Sequence, residues 1–338
     1  MKLLTFAYPD DPHTPHLGTI LEDTVVDLSA ARTWAEEQRG LPAEYLPDHL
    51  FEYIQSGPMI WRYARRLVNI MEGEDPLYLK DANRRPVGLR LHGVILHPPL
   101  LRPMSIRDFY AFEQHVVAAR ALRGLEVPAE WYQFPVFYFS NPNAVFGPGE
   151  TIPYPSYTEA LDYELEVACI IGKPGINISA AVAEEYIFGY TIFNDWSARD
   201  EQRLEMRVGL GPAKGKDFAT SIGPWVVTPD EIANHAEDRP GVYDLEMVAR
   251  VNGEVLSHGN WKDIYYSFGE MIARASTDVY LLPGDLIGSG TVGTGCLLEL
   301  THGEGPWLQP GDTVELLIEG LGVLSNRVGN RMEPNSSV

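Results

Sequence analysis

The sequence predicts an α+β fold, mainly β, behind a small α/β front module. Three observations carry this expectation. From Ser105 onward, short β-rich segments are separated by Gly and Pro. Those segments do not alternate regularly with helices, as a doubly wound parallel sheet requires, so helices packed outside a β-rich body fit better. Pro98, Pro99 and Pro103 then form a stiff join between two stretches of different character. The expected division is a small N-terminal domain over 1–97, a catalytic domain over 98–332 and a frayed polar tail over 333–338.

In chain order, the front module begins strand, turn, strand, with short β segments at 18–20 and 24–28. Helices are expected over 30–39 and 49–71, the second with Leu50, Ile54, Ile60, Ala64 and Leu67 at helical spacing. Residues 87–91 and 94–96 read as strands. Past the join, 108–123 reads as a helix stopped at Gly124. Residues 131–139 are unusually aromatic, and 109–138 reads as either a lid or a packing arm. Strands are expected at 164–172, 187–194, 225–227, 245–251, 286–288, 297–301 and 313–318. Helices are expected at 180–185, 198–207 and 261–275.

Composition narrows the function. With 47 acidic against 26 basic residues, the formal net charge is −21, which argues against nucleic acid or an anionic membrane as partner. No apolar run is long enough to span a bilayer, and no secretory leader is evident. The two cysteines, Cys169 and Cys296, lie in apolar or Gly-rich contexts. They read as buried free thiols of a cytoplasmic protein. The Gly/Lys stretch 211–218 lacks the spacing of a phosphate-binding loop.

Four acids in three segments hold the most chemistry. Asp108 lies in Arg107-Asp108-Phe109-Tyr110, Glu164 and Glu166 in Leu161-Asp162-Tyr163-Glu164-Leu165-Glu166, and Asp195 in Asn194-Asp195-Trp196-Ser197. The middle segment alternates apolar Leu161, Tyr163, Leu165 and Val167 with the acids, so a strand puts Glu164 and Glu166 on one face. Carboxylates stacked in this way repel, and a hard cation relieves the repulsion. The plainer alternative is a solvated strand face.

The segments Asp108-Phe109-Tyr110-Ala111-Phe112-Glu113-Gln114-His115, Leu161-Asp162-Tyr163-Glu164-Leu165-Glu166, Asn194-Asp195-Trp196-Ser197-Ala198-Arg199-Asp200 and Gly288-Ser289-Gly290-Thr291 occur in this order. Over roughly 100–330, the chain resembles the fumarylacetoacetate hydrolase superfamily. The resemblance implies a C-terminal β-roll with a small N-terminal domain, one divalent cation (Mg²⁺ or Ca²⁺, with Mn²⁺ also suited), and a homodimer. It implies Asp108, Glu164, Glu166 and Asp195 as metal ligands, His115 as general base, Glu299 as the acid that orients it, and Lys216 as a catalytic cation. Tyr110, Tyr138, Arg199, Gln202 and Thr291 fall at substrate-side positions. Asp162 is read as an orienting or turn residue.

The activity this resemblance implies is hydrolysis of a C–C bond in a small anionic β-diketo acid, of fumarylacetoacetate or acylpyruvate type. A neutral His activates water, and the metal stabilises the departing enolate. The alternative on the same scaffold is decarboxylation or isomerisation of hydroxy-diene or oxo diacids in aromatic catabolism. A non-catalytic metal-binding scaffold is the alternative from another class. It would have no use for His115, Glu299, Arg199 and Lys216 around the metal.

Overall fold

The computed structural model describes residues 1–333, so the expected tail lies almost wholly outside the described residues. The fold is α+β with strands predominant, as the sequence predicts. A twelve-stranded sheet runs in the order Gly88–Arg90, Thr24–Asp27, Asp11–Leu21, Lys2–Tyr8, Thr220–Val227, Ile187–Asp195, Leu165–Ile171, Leu286–Gly288, Ile106–Phe109 and Phe137–Ser140, with two short strands beside this path. A five-stranded sheet joins Glu254–Asn260, Glu246–Val251, Thr313–Ile318, Gly322–Arg331 and Thr151–Tyr154.

The front residues join the main sheet and share core with the body. Lys2–Tyr8 pairs antiparallel with Thr220–Val227, with Lys2 opposite Val227 and Leu3 opposite Val226. The helices Leu28–Arg39 and Pro58–Glu72 bury Ala31, Leu67 and Val68 in one cluster with Ala168, Ile170, Phe193, Ile222 and Leu286 of the body. The proline-rich join therefore separates two sequence characters, while sheet and core run through it.

The central strand Leu165–Ile171 has the expected period of two. Leu165, Val167, Cys169 and Ile171 pack toward the five-stranded sheet, in one cluster with Met247, Ala249, Leu316 and Ile318. Ala168 and Ile170 point the other way, under the front helices. Both faces are covered, which explains why the whole strand is buried. Cys169 and Cys296 are buried and unpaired.

Several expected elements differ. The helix expected over 108–123 is a strand, Ile106–Phe109, followed by a helix, Glu113–Ala121. The single helix expected over 49–71 is two, Leu50–Ser56 and Pro58–Glu72. They are split at Gly57, whose φ of 78° no right-handed helix accommodates. Residues 297–301, read as a strand, form a one-turn helix, Leu297–Leu300. No helix among the described residues is long and apolar enough to cross a membrane.

Candidate active site

The four acids meet because each strand delivers its acid on the same sheet face. Ile106, Ala168 and Phe193 all belong to the apolar cluster under the front helices. Two residues along from each, on the same side, stand Asp108, Glu166 and Asp195. Glu164 follows Glu166 by one more alternation, just before the strand begins. One oxygen from each of the four lies within 4.8 Å of the others, and all four residues are buried. Opposite ligands of a Mg²⁺, Mn²⁺ or Ca²⁺ ion lie about 4–5 Å apart, so the spread suits one such ion.

Glycine keeps this pocket open. Gly288 is paired with Asp108 on one side and Ala168 on the other. A β-carbon there would stand 2.6 Å from Asp108 Oδ1 and 3.3 Å from Glu166 Oε2. Gly290, at φ 78°, donates its N–H to Glu166 Oε2 at 2.9 Å. Asn194 Oδ1 accepts the Glu164 N–H at 2.9 Å.

The electrostatics are one-sided. Burial first, and then neighbouring carboxylates, push Asp108 and Glu166 well above the usual carboxylate range. Burial also raises Asp195, against the pull of Lys216. Glu164 goes the other way: burial disfavours its charge, but Lys216 and Arg199 outweigh that and hold it low. Lys216 Nζ spans Glu164 Oε2 and Asp195 Oδ2, 2.6 Å from each. Its burial disfavours charge, and the two acids more than reverse that. Arg199 Nη1 lies 2.8 Å from Glu164 Oε1. Asp108 Oδ1, Glu166 Oε1 and Asp195 Oδ1 are buried and accept no hydrogen bond. Three unpartnered carboxylate oxygens in one buried cluster are costly as they stand, and a divalent cation is the group that satisfies them together. The residues present therefore fit the ion.

His115 and Glu299 form a second cluster. His115, on the helix Glu113–Ala121, sets Nδ1 2.5 Å from Glu299 Oε1 across 184 residues of sequence. Glu299 Oε2 accepts the Thr294 N–H at 3.1 Å. A carboxylate only accepts, so its contact places the imidazole proton on Nδ1 and leaves Nε2 as a lone pair.

The residues expected on the substrate side border the two clusters. Tyr138 donates to Asp195 Oδ2 at 2.5 Å. The Tyr110 ring meets the His115 ring edge-on at 5.4 Å. Gln202 Oε1 accepts from Arg199 Nη1 at 3.1 Å, and Gly215 lets the Lys216 loop lie against Gln202. Thr291 is buried on the loop after Gly288-Ser289-Gly290. The arm 109–138 is pinned at Trp131, whose indole donates to Tyr110 O and whose carbonyl accepts from the Tyr266 hydroxyl. Two supports escaped the sequence reading: Asn194, whose adjacency to Asp195 was the available signal, and Ser289, which accepts the Val167 N–H.

Comparison with known proteins identifies the family. The fumarylacetoacetate (FAA) hydrolase C-terminal family model matches residues 105–329. The chain belongs to that family. It is 29% identical over 368 residues to a fumarylacetoacetase of Arabidopsis thaliana, covering 92% of this chain and 86% of that one. It is 30% identical over 322 residues to an oxaloacetate tautomerase of Bacillus subtilis, covering 93% of this chain and 96% of that one. Among solved structures, a 2-hydroxyhepta-2,4-diene-1,7-dioate isomerase from Mycobacterium marinum superposes with a TM-score of 0.64 at 27% identity, covering 98% of this chain and all of that one.

Proposed function

We propose that the protein is a metal-dependent hydrolase that cleaves a C–C bond in a small β-diketo acid of fumarylacetoacetate or acylpyruvate type. The observation that carries this reading is the buried His115–Glu299 pair set beside the four-acid cluster. Asp108, Glu164, Glu166 and Asp195 would hold the cation. Their all-oxygen donor set suits Mg²⁺, Ca²⁺ or Mn²⁺. When bound, that ion supplies Lewis-acid polarisation of the diketo acid's oxygens.

The chain's own residues do the rest. His115 Nε2 takes a proton from water, and the water oxygen bonds to the substrate carbonyl carbon. Glu299 keeps the imidazole oriented and stabilises the imidazolium. The C–C bond then breaks, its electron pair leaves with the enolate fragment, and the proton held on His115 passes to that fragment's carbon to give the keto acid, while the other fragment leaves as the carboxylic acid and sheds its proton to solvent. Lys216 has used two of its three hydrogens on Glu164 and Asp195, so the third can face an oxygen gaining charge. Arg199 Nη2 is buried without a partner, a free donor for a substrate carboxylate. We expect the working assembly to be a homodimer, and neither nucleic acid nor membrane to be a partner.

A second reading, isomerisation or keto–enol tautomerisation of a 2-oxo or hydroxy-diene diacid, is favoured by the tautomerase and isomerase names among similar proteins. Single-turnover assays on acylpyruvates, fumarylacetoacetate and oxaloacetate, with and without Mg²⁺, separate the two. Hydrolysis predicts cleaved products that require Mg²⁺ and a large loss in Glu299→Gln. Isomerisation without cleavage, undiminished in Glu299→Gln, would overturn the hydrolytic reading.

A further inference from the structure

Asp162 shares a segment with Glu164 and Glu166, yet it belongs to neither cluster's ligand set. It is fully buried, and its carboxylate is saturated by four donors. Oδ1 accepts the Tyr163 N–H and the Leu297 N–H, both at 2.8 Å. Oδ2 accepts the Leu298 N–H at 3.0 Å and Arg199 Nε at 2.8 Å. Leu297 and Leu298 open the one-turn helix that carries Glu299. The first N–H groups of a helix have no partner within it, and the capping residue usually supplies one. Here the capping position is Cys296, which makes no side-chain cap. Asp162 does that work from 135 residues away.

The same carboxylate grips Arg199, whose Nη1 reaches Glu164 of the four-acid cluster. One buried group therefore anchors the helix bearing the orienting acid and the guanidinium that touches a metal ligand. We propose that Asp162 is a positioning residue that sets the His115–Glu299 pair and Arg199 in register with the cation site. It acts through those residues, and its two oxygens face away into donors. The inference deepens the reading above and rests on it for its kinetic consequences.

An amide cannot replace this carboxylate. Asn has the same shape but only one acceptor oxygen, and its NH₂ is a donor. In either flip, two of the four donors face another donor, and either Leu297 or Leu298 loses its partner. Asp162→Asn should therefore fold and load metal while leaving Glu299 loosely held.

The test joins a spectroscopic and a kinetic readout on the full-length protein loaded with Mg²⁺. The buried His115–Glu299 hydrogen bond should give a downfield imidazole proton resonance, assigned by its loss in Glu299→Gln. In Asp162→Asn that resonance should broaden or move upfield, with Mg²⁺ affinity within about threefold of the parent, since all four ligands remain. Turnover should fall by about 10–100-fold. The double variant Asp162→Asn/Glu299→Gln should lose less than the product of the two single losses, because the part of the Asp162 effect that runs through the His115–Glu299 pair is already gone and only the part through Arg199 remains. An unchanged resonance in Asp162→Asn, or losses that multiply in the double variant, would overturn the positioning role. A perturbed resonance together with full turnover in Glu299→Gln would leave the positioning role intact and sink the hydrolytic reading instead, so the two failures are distinguishable.

Discussion

The two clusters of the site differ in how complete they are. Around His115 and Glu299 the polar atoms answer one another: Nδ1 meets Oε1, and Oε2 takes the Thr294 N–H. The four-acid cluster does not close on itself. Lys216 and Arg199 satisfy Glu164, but Asp108, Glu166 and Asp195 each keep a buried oxygen without a donor. Counting Asp162, five acids face two cations, a formal excess of three negative charges. Under the proposed function, the cluster complete in protein atoms would move a proton and the one short of positive charge would hold a cation.

This contrast predicts opposite behaviour on mutation. The largest effect belongs to Glu166→Gln. Turnover should be abolished and Mg²⁺ binding lost, yet the metal-stripped variant should be more stable than the metal-stripped parent, by about 0.5–2 kcal/mol, because the cost of burying an ionisable acid among other acids is gone. Chemical denaturation with and without Mg²⁺ checks this; a metal-stripped variant less stable than its parent would show that the acids are not in conflict. Next comes His115→Ala, expected to lose about 10²–10⁴ in kcat while keeping its metal. Stopped-flow turnover beside a metal titration reads both, and a fully active variant would remove the general base.

The acids and the dyad also differed in how far the sequence disclosed them. Glu164 and Glu166 were readable from period-two alternation, because Leu165, Val167 and Cys169 must face a core. Asp108 and Asp195 were reachable by motif, but their convergence depends on strand order, which no local pattern encodes. Glu299 was the hardest. Residues 297–301 are apolar enough to read as a strand, and the turn of helix exists because Asp162, remote in sequence, caps it. The split at Gly57 was missed for a local reason, since helical spacing continues on both sides of it. The join at 98–103 was legible because prolines are a composition signal, whereas the pairing of Lys2–Tyr8 with Thr220–Val227 is long-range and leaves no local one.

Smaller effects sharpen the contrast. Gly288→Ala should weaken Mg²⁺ binding by about 10–100-fold, since its β-carbon would press on Asp108 Oδ1, while leaving the His115–Glu299 contact alone. A titration showing parent-like affinity would mean that Asp108 can move without cost. The pH dependence is subtler. Asp108 and Glu166 have folded-state values raised above those of the unfolded chain. Their contribution to stability is full below about pH 4 and is lost as pH rises through the raised values. Glu164, held low, acts with the opposite sign, but its window lies below its ordinary value of 4.5. The melting temperature of the metal-stripped protein should therefore fall relative to the Mg²⁺-loaded protein as pH rises above about 4, as protons leave the acids and the cation takes their place. Parallel melting curves with chelator and with Mg²⁺ would contradict this.

The most direct measurement is a calorimetric titration of Mg²⁺ into three metal-stripped proteins side by side: the parent, Glu166→Gln and His115→Ala. One site per chain is expected in the parent, lost in Glu166→Gln and retained with near-parent affinity in His115→Ala. Equal binding by Glu166→Gln, or loss of binding in His115→Ala, would contradict the division between a cation-holding cluster and a proton-moving one.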